Sequence, residues 1–265
     1  MWIDAHAHLD LFDDNLDVAL REIEQQRIFT VSNSVGLESY HRNLAIADRC
    51  PWVLPIFGVH PWFASEYVHR LDEVAEAIEN SPMLGEIGLD FHFVKEETQY
   101  PAQRELFDFF LEAAEEQGKW VHLHTKGAER ETLQRLDGHK IRRAVVHWYS
   151  GPLDVFRELA ARGFYFTVGV EVLYSAHVKA IAREVPASQL LTETDNPGGH
   201  KSLIGEPGRP GLIRDVVQGL ARTRNTSAEA LMRMVQANFV RLCGQDPRLR
   251  QVSMQMASVR SGDLE

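Results

Sequence analysis

The sequence predicts an α/β fold, specifically a (β/α)8 TIM barrel, and three observations predict it. Short apolar runs alternate with amphipathic stretches of helical period along the chain, which is the pattern of parallel βαβ units. The apolar runs number eight, which favours a closed barrel over an open sheet. The length, 265 residues, suits one such domain, since these barrels take ~250 residues.

In chain order, strands are expected near 2–8, 28–35, 53–59, 83–90, 120–125, 143–148, 164–170 and 189–195. The first contains Asp4-Ala-His6-Ala-His8. Strand periodicity puts Asp4, His6 and His8 on one face and Ala5 and Ala7 on the other. Helical patterns lie at about 37–49 (Leu37, Leu44, Ala45, Ala47), 68–80 (Leu71, Val74, Ala75, Ile78) and 99–117 (Leu106, Phe107, Phe110, Leu111, Ala114). Others fall at 128–137, 153–162, 175–184, 210–223 and 227–242. Residues 1–245 are expected to form the barrel, and the polar, aperiodic stretch 246–265 a C-terminal tail that is either a short added helix or a frayed end.

Composition narrows the setting. Hydrophobic content of 44% and charged content of 25% are ordinary for a globular chain. No apolar run reaches the ~18 residues of a membrane span. The first strand begins at Trp2, leaving no room for a signal peptide. Cys50 and Cys243 are far apart, so neither a disulfide framework nor a cysteine metal site is expected. A reducing cytoplasm, away from membranes, is the expected compartment. The net charge of −10 argues against a surface-wide grip on duplex DNA, whose non-specific binding rests on phosphate neutralisation. A nucleic acid would be held locally, through a few terminal nucleotides.

Barrel chemistry sits at the C-terminal ends of strands, and the reactive side chains collect there. His6 and His8 end the first strand and His60 the third. Glu86, Gly88 and Asp90 share a face of the fourth, and His122, His124 and Lys126 line the fifth. His147 ends the sixth and Asp195 the eighth. Each alone has an ordinary explanation: a lone strand-end histidine is commonly a hydrogen-bonded structural residue, and Glu86 or Asp195 could cap a helix or join an ion pair. Their joint placement at one mouth outweighs those explanations. Four histidines and two carboxylates (His6, His8, Glu86, His124, His147, Asp195) exceed the three or four protein ligands of one zinc. Two divalent cations ~3.5–4 Å apart, bridged by Glu86, would use them all. Mixed imidazole and carboxylate donors suit Zn or Mn, and Mg less well. His122 lies deeper and is expected to be a buried hydrogen-bonding residue, with Glu193 supporting the site beneath Asp195. His92 and Trp148 lie just past strand ends, where they reach either substrate or plain rim. His41, His69, His139, His177 and His200 fall in helices or loops away from the mouth.

The succession Asp4-Ala-His6-Ala-His8-Leu, Gly58-Val-His60-Pro, Gly85-Glu86-Ile-Gly-Leu-Asp90-Phe, His124, His147-Trp-Tyr-Ser-Gly and Glu193-Thr-Asp195-Asn-Pro resembles the TatD family of metal-dependent deoxyribonucleases, in the amidohydrolase superfamily. The resemblance runs in order over about residues 2–243. It implies metal ligation by His6, His8, Glu86, His124, His147 and Asp195. His6, His8 and Asp195 would gather around one cation, His124 and His147 around the other, with Glu86 between. It also implies phosphodiester cleavage by metal-activated water, typically as a 3′–5′ exonuclease on DNA ends or single strands. Asp195 would orient the attacking water or take its proton, and His60 would face the scissile phosphate. Lys126 and Trp148 would contact the strand, Trp148 by stacking a base.

Three departures bear on substrate. Trp62 stands where the family has a histidine, Lys126 where it has an arginine, and Gly208-Arg209-Pro210 where it has Asn-Glu-Pro. Lys126 still attracts phosphate, without the bidentate fork of arginine. These changes keep two alternatives open: a metal-dependent hydrolase of a non-nucleic ester or amide, and a subunit of a multi-protein anti-phage defence system whose partners are encoded nearby.

Overall fold

The computed structural model describes residues 1–262; the last three residues of the expected tail lie outside them. Strand and helix alternate as the apolar pattern requires: β1 (Trp2–Ala7), α1 (Leu16–Gln26), β2 (Ile28–Asn33), α2 (Leu37–Arg49), β3 (Val53–Ile56), α3 (Ala64–Tyr67), α4 (Leu71–Asn80) and β4 (Met83–Gly88). The second half continues with α5 (Tyr100–Gln117), β5 (Trp120–His124), α6 (Glu129–Gly138), β6 (Ala144–Val146), α7 (Leu153–Ala161), β7 (Tyr165–Val168), α8 (Ala176–Glu184) and β8 (Leu190–Thr192). Four helices follow: α9 (Gly198–Ile204), α10 (Ile213–Thr223), α11 (Ala228–Gly244) and α12 (Arg250–Gly262). No described helix is long and apolar enough to cross a membrane.

All paired strands run parallel, β1-β2-β3 in one ladder and β4 through β8 in another. Hydrogen bonds join both seams. Phe57 bridges to Leu84, and the Gly85 N–H donates to the Phe57 carbonyl at 2.7 Å. On the other side the Asp195 N–H donates to the His6 carbonyl at 2.9 Å, and the His8 N–H to the Asn196 carbonyl at 2.8 Å. The result is the (β/α)8 barrel that the eight apolar runs predict.

One buried apolar cluster draws on every strand: Ile3 and Ala5, Phe29 and Val31, Leu54 and Ile56, Met83, Trp120, Val145, Tyr165 and Leu191. Val235, Phe239, Leu242 and Cys243 of α11 complete it, together with Leu249 and Met256. Residues Arg250–Gly262 of the expected tail are therefore helical and anchored, with Leu249 and Met256 buried against α11. Several features were not expected, the short helices α3 and α9 among them. Helix α1 buries only Ala19, Leu20 and Ile23, too narrow a stripe to register as helical period. The strands also stop short of their expected ends, β8 at Thr192 rather than near 195. There the chain leaves the ladder to aim side chains at the mouth; Trp148 and Asp195 sit at φ 40° and 54°.

Candidate metal centre

Six of the eight strands supply the oriented groups at or just past their ends, β1 giving two. After β1, His8 is held by a hydrogen bond from Nδ1 to the Asn33 carbonyl at 3.0 Å. That fixes the ring proton on Nδ1 and leaves the Nε2 lone pair facing inward. His6 is set similarly: Nδ1 lies 3.2 Å from His122 Nε2, and its Nε2 lies 3.2 Å from His8 Nε2. His6 also stacks on His147, ring centroids 3.8 Å apart at 7°. His147 Nδ1 is 3.3 Å from Glu193 Oε2, and Glu193 is itself held by the Thr167 hydroxyl at 2.5 Å and the Trp148 N–H at 2.9 Å. His124 uses the opposite edge: Nε2 lies 2.9 Å from Asp90 Oδ2, which turns Nδ1 inward.

These inward nitrogens converge on Glu86. Glu86 Oε2 lies 3.4 Å from His6 Nε2 and 3.3 Å from His8 Nε2. Glu86 Oε1 lies 2.7 Å from His124 Nδ1 and 2.9 Å from His147 Nε2. Asp195 Oδ1 completes the first side at 3.6 Å from His6 Nε2 and 3.3 Å from His8 Nε2. Among the described residues, three groups have ligand atoms close enough to hold a metal ion: His6, His8 and Asp195; His6, Glu86 and His147; and His60, Glu86 and His124. All six residues expected as ligands are thus brought together. The donor set fits divalent cations, because each of the four histidines satisfies its far nitrogen elsewhere and aims its near one at a carboxylate.

His60 is arranged differently. The Trp62 N–H donates to His60 Nδ1 at 3.3 Å, which places the ring proton on Nε2, 3.6 Å from Glu86 Oε1. His60 therefore presents a donor toward the centre rather than a lone pair.

The charge balance follows from burial and neighbours. Burial opposes ionisation of Glu86 and Asp195, yet the surrounding histidines hold both carboxyls below the usual range. Burial likewise opposes protonation of His147, but Glu86 and Glu193 outweigh it and raise the ring to about 10. His8 and His124 are raised against burial by their carboxylate partners. Burial lowers His6 and His122, and takes His60 down to about 3. Without cations, protons on histidine neutralise the carboxylates; with cations bound, those protons must leave.

Sequence reasoning left Asp90 without a role. Its side chain points away from the cations' expected position and backs His124, while Oδ1 accepts the His92 and Phe93 N–H groups at 2.9 and 2.7 Å and Oδ2 accepts the Trp62 indole N–H at 2.7 Å. The available signal was Gly88, two residues earlier. Gly88 has φ 146°, and a Cβ there would lie 2.0 Å from the His124 carbonyl oxygen. Only glycine lets β4 bend against β5 so that Glu86 faces the centre and Asp90 passes behind it. Asp4 is likewise turned aside from the metal face, accepting the Thr194 N–H at 2.8 Å and hydroxyl at 2.6 Å.

The altered wall residues fall in different places. Lys126 Nζ donates to Ser150 Oγ at 2.6 Å and lies 5.8 Å over the Trp148 ring. The Trp148 indole N–H donates to Glu171 at 2.7 Å. Trp62 stands half-exposed beside Asp90. Arg209 leans outward toward Glu22 of α1, at 3.8 Å.

A family model described as TatD related DNase matches residues 3–244. The chain belongs to this family. Among its relatives, the uncharacterized metal-dependent hydrolase YcfH of Escherichia coli is 29% identical over 257 residues, covering 91% of this chain and 94% of YcfH. Deoxyribonuclease TATDN3 of Homo sapiens is 24% identical over 267 residues, covering 94% and 95%. The solved structure of YjjV, a TatD homologue from Escherichia coli, superposes with a TM-score of 0.83 at 25% identity, over 91% of this chain and 97% of that one. As a TatD member the chain is a metal-dependent hydrolase, and the converging histidines and carboxylates are where such a cation would bind.

Proposed function

We propose that the chain is a two-cation deoxyribonuclease that removes nucleotides 3′–5′ from DNA ends or single strands. The observation that carries the reading is Glu86, whose two oxygens face opposite sets of lone-pair-presenting histidines. His6, His8 and Asp195 would hold one divalent cation and His124 and His147 the other, with Glu86 shared and Zn, Mn or Mg as the metal. Cations bound there supply Lewis acidity toward the phosphodiester and activate water for in-line attack.

The remaining steps belong to side chains. Asp195, whose side chain is 22% exposed, is the metal-facing carboxylate open to the mouth. It orients the attacking water and receives its proton. His60, neutral and carrying its proton on Nε2, donates to a phosphate oxygen placed beside Glu86. Lys126 adds a positive charge at the rim, although burial depresses its pKa. Asp90, Glu193 and His122 hold the ligand rings in register.

The test strips the protein with a chelator, reloads it with Zn, Mn or Mg, and presents end-labelled single strands beside ester and amide substrates. DNA should shorten from the 3′ end only with added cation, and Glu86→Ala and Asp195→Ala should each fall to background. Elemental analysis should find up to two cations per chain. Hydrolysis of esters or amides with none of DNA overturns the reading.

A further inference from the structure

Just outside the metal-ligating histidines, two large aromatic side chains stand in water. Trp62, in the turn after β3, is 49% exposed, and Phe93, in the loop after β4, is 56% exposed. They meet edge to face, ring centroids 5.9 Å apart at 74°. Exposed apolar patches rimmed by polar groups mark binding surfaces, and here both residues are tied to one buried carboxylate. The Trp62 indole N–H and the Phe93 backbone N–H both donate to the carboxylate of Asp90, each at 2.7 Å. The same carboxylate contacts His124 at 2.9 Å. The Trp62 ring also touches His60, centroids 4.7 Å apart, and His60 reaches Glu86. A strand whose phosphate sits at Glu86 therefore has its adjoining nucleotide beside Trp62.

On this geometry we infer that Trp62 and Phe93 form a stacking platform for a nucleobase next to the scissile phosphate, an inference that rests on the deoxyribonuclease reading. An edge-to-face pair leaves ring faces open to a planar partner. Every base offers such a face, so the platform grips single strands without reading sequence. Charge points the same way. With a net −10, phosphates beyond the scissile one meet a predominantly acidic chain, and stacking supplies affinity that salt does not screen. Trp148 is less open to this role, since Lys126 covers its ring and Glu171 ties its indole N–H.

The test measures binding of a fluorescent phosphorothioate oligothymidylate to the metal-loaded protein, beside the same backbone made abasic. Phe93→Ala alters no ligand contact, and Trp62→Phe keeps a ring while losing the Asp90 contact. Phe93→Ala and Trp62→Ala should each weaken oligothymidylate binding about tenfold. Trp62→Phe should stay within about threefold of wild type, and the abasic strand should be bound equally by all. Unchanged binding in Phe93→Ala and Trp62→Ala, or an equal loss on the abasic strand, overturns the platform. If wild type binds the oligothymidylate no better than the abasic strand, the platform alone falls. If wild type binds neither strand, the deoxyribonuclease reading falls with it.

Discussion

Among single residues, Asp90 shows how much a group outside the ligand set can decide. It fixes the tautomer and tilt of His124, and such supporting carboxylates are worth about 10- to 100-fold in metal affinity. Asp90→Asn should weaken cation binding by that factor in competition with a fluorescent chelator, with the fold intact by circular dichroism; unaltered affinity would remove Asp90 from the centre. His147 gives a pH prediction. Its folded pKa of about 10 lies above the ordinary 6.5. Its stabilising contribution is therefore fully present below pH 6.5 and lost as pH rises through 10. Glu86 and Asp195 are depressed, so theirs is present above the ordinary carboxylate range and lost as pH falls below it through their lowered folded values. Thermal melts in chelator should show stability declining from pH 6.5 to 10, and saturating divalent cation should flatten that decline by replacing the protons. A chelated protein with no decline over that range would contradict the charge balance drawn above.

Among elements, the strands were legible because a buried parallel barrel demands an apolar run at each one. Their ends were not, because Trp148 and Asp195 leave the ladder in left-handed conformations that no periodicity encodes. Helix α1 escaped notice for its narrow apolar face, with Val18 turned to solvent. Helix α12 was left open between a short helix and a frayed end because its lead-in is polar, and Leu249 and Met256 decide for the helix by holding it against α11. Leu249→Ala should cost about 2–4 kcal/mol in chemical denaturation while leaving metal content unchanged, since the contact lies in the strand-spanning cluster and away from the ligands. A negligible cost would mean that α12 is only loosely docked. Gly88→Ala should do the reverse and lose cation binding, because its Cβ would collide with the backbone that carries His124.

For the molecule as a whole, acidity limits how DNA can be held. Single-strand binding weakens with salt in proportion to the phosphates neutralised, with a log–log slope of about −0.7 per contact. With Lys126 as the rim cation, the slope for a short single strand should be about −1 or shallower, read from Kd across a salt series. A much steeper slope would reveal a basic track elsewhere on the surface.

The eight apolar runs and the order of His6, His8, Glu86, His124, His147 and Asp195 were enough to determine barrel and family and to name six residues that the fold gathers at one place, because strand ends in a closed barrel must share one mouth. Which nitrogen of each histidine faces inward was decided only in three dimensions. That choice depends on Asn33, His122, Asp90 and Glu193, whose contacts come from other strands and loops. The same tertiary proximity separates His60, a donor, from the lone-pair-presenting histidines around it, and brings Trp62 and Phe93 together over one carboxylate. Spacing along the chain is blind to both, since each depends on which loops the closed ring sets side by side.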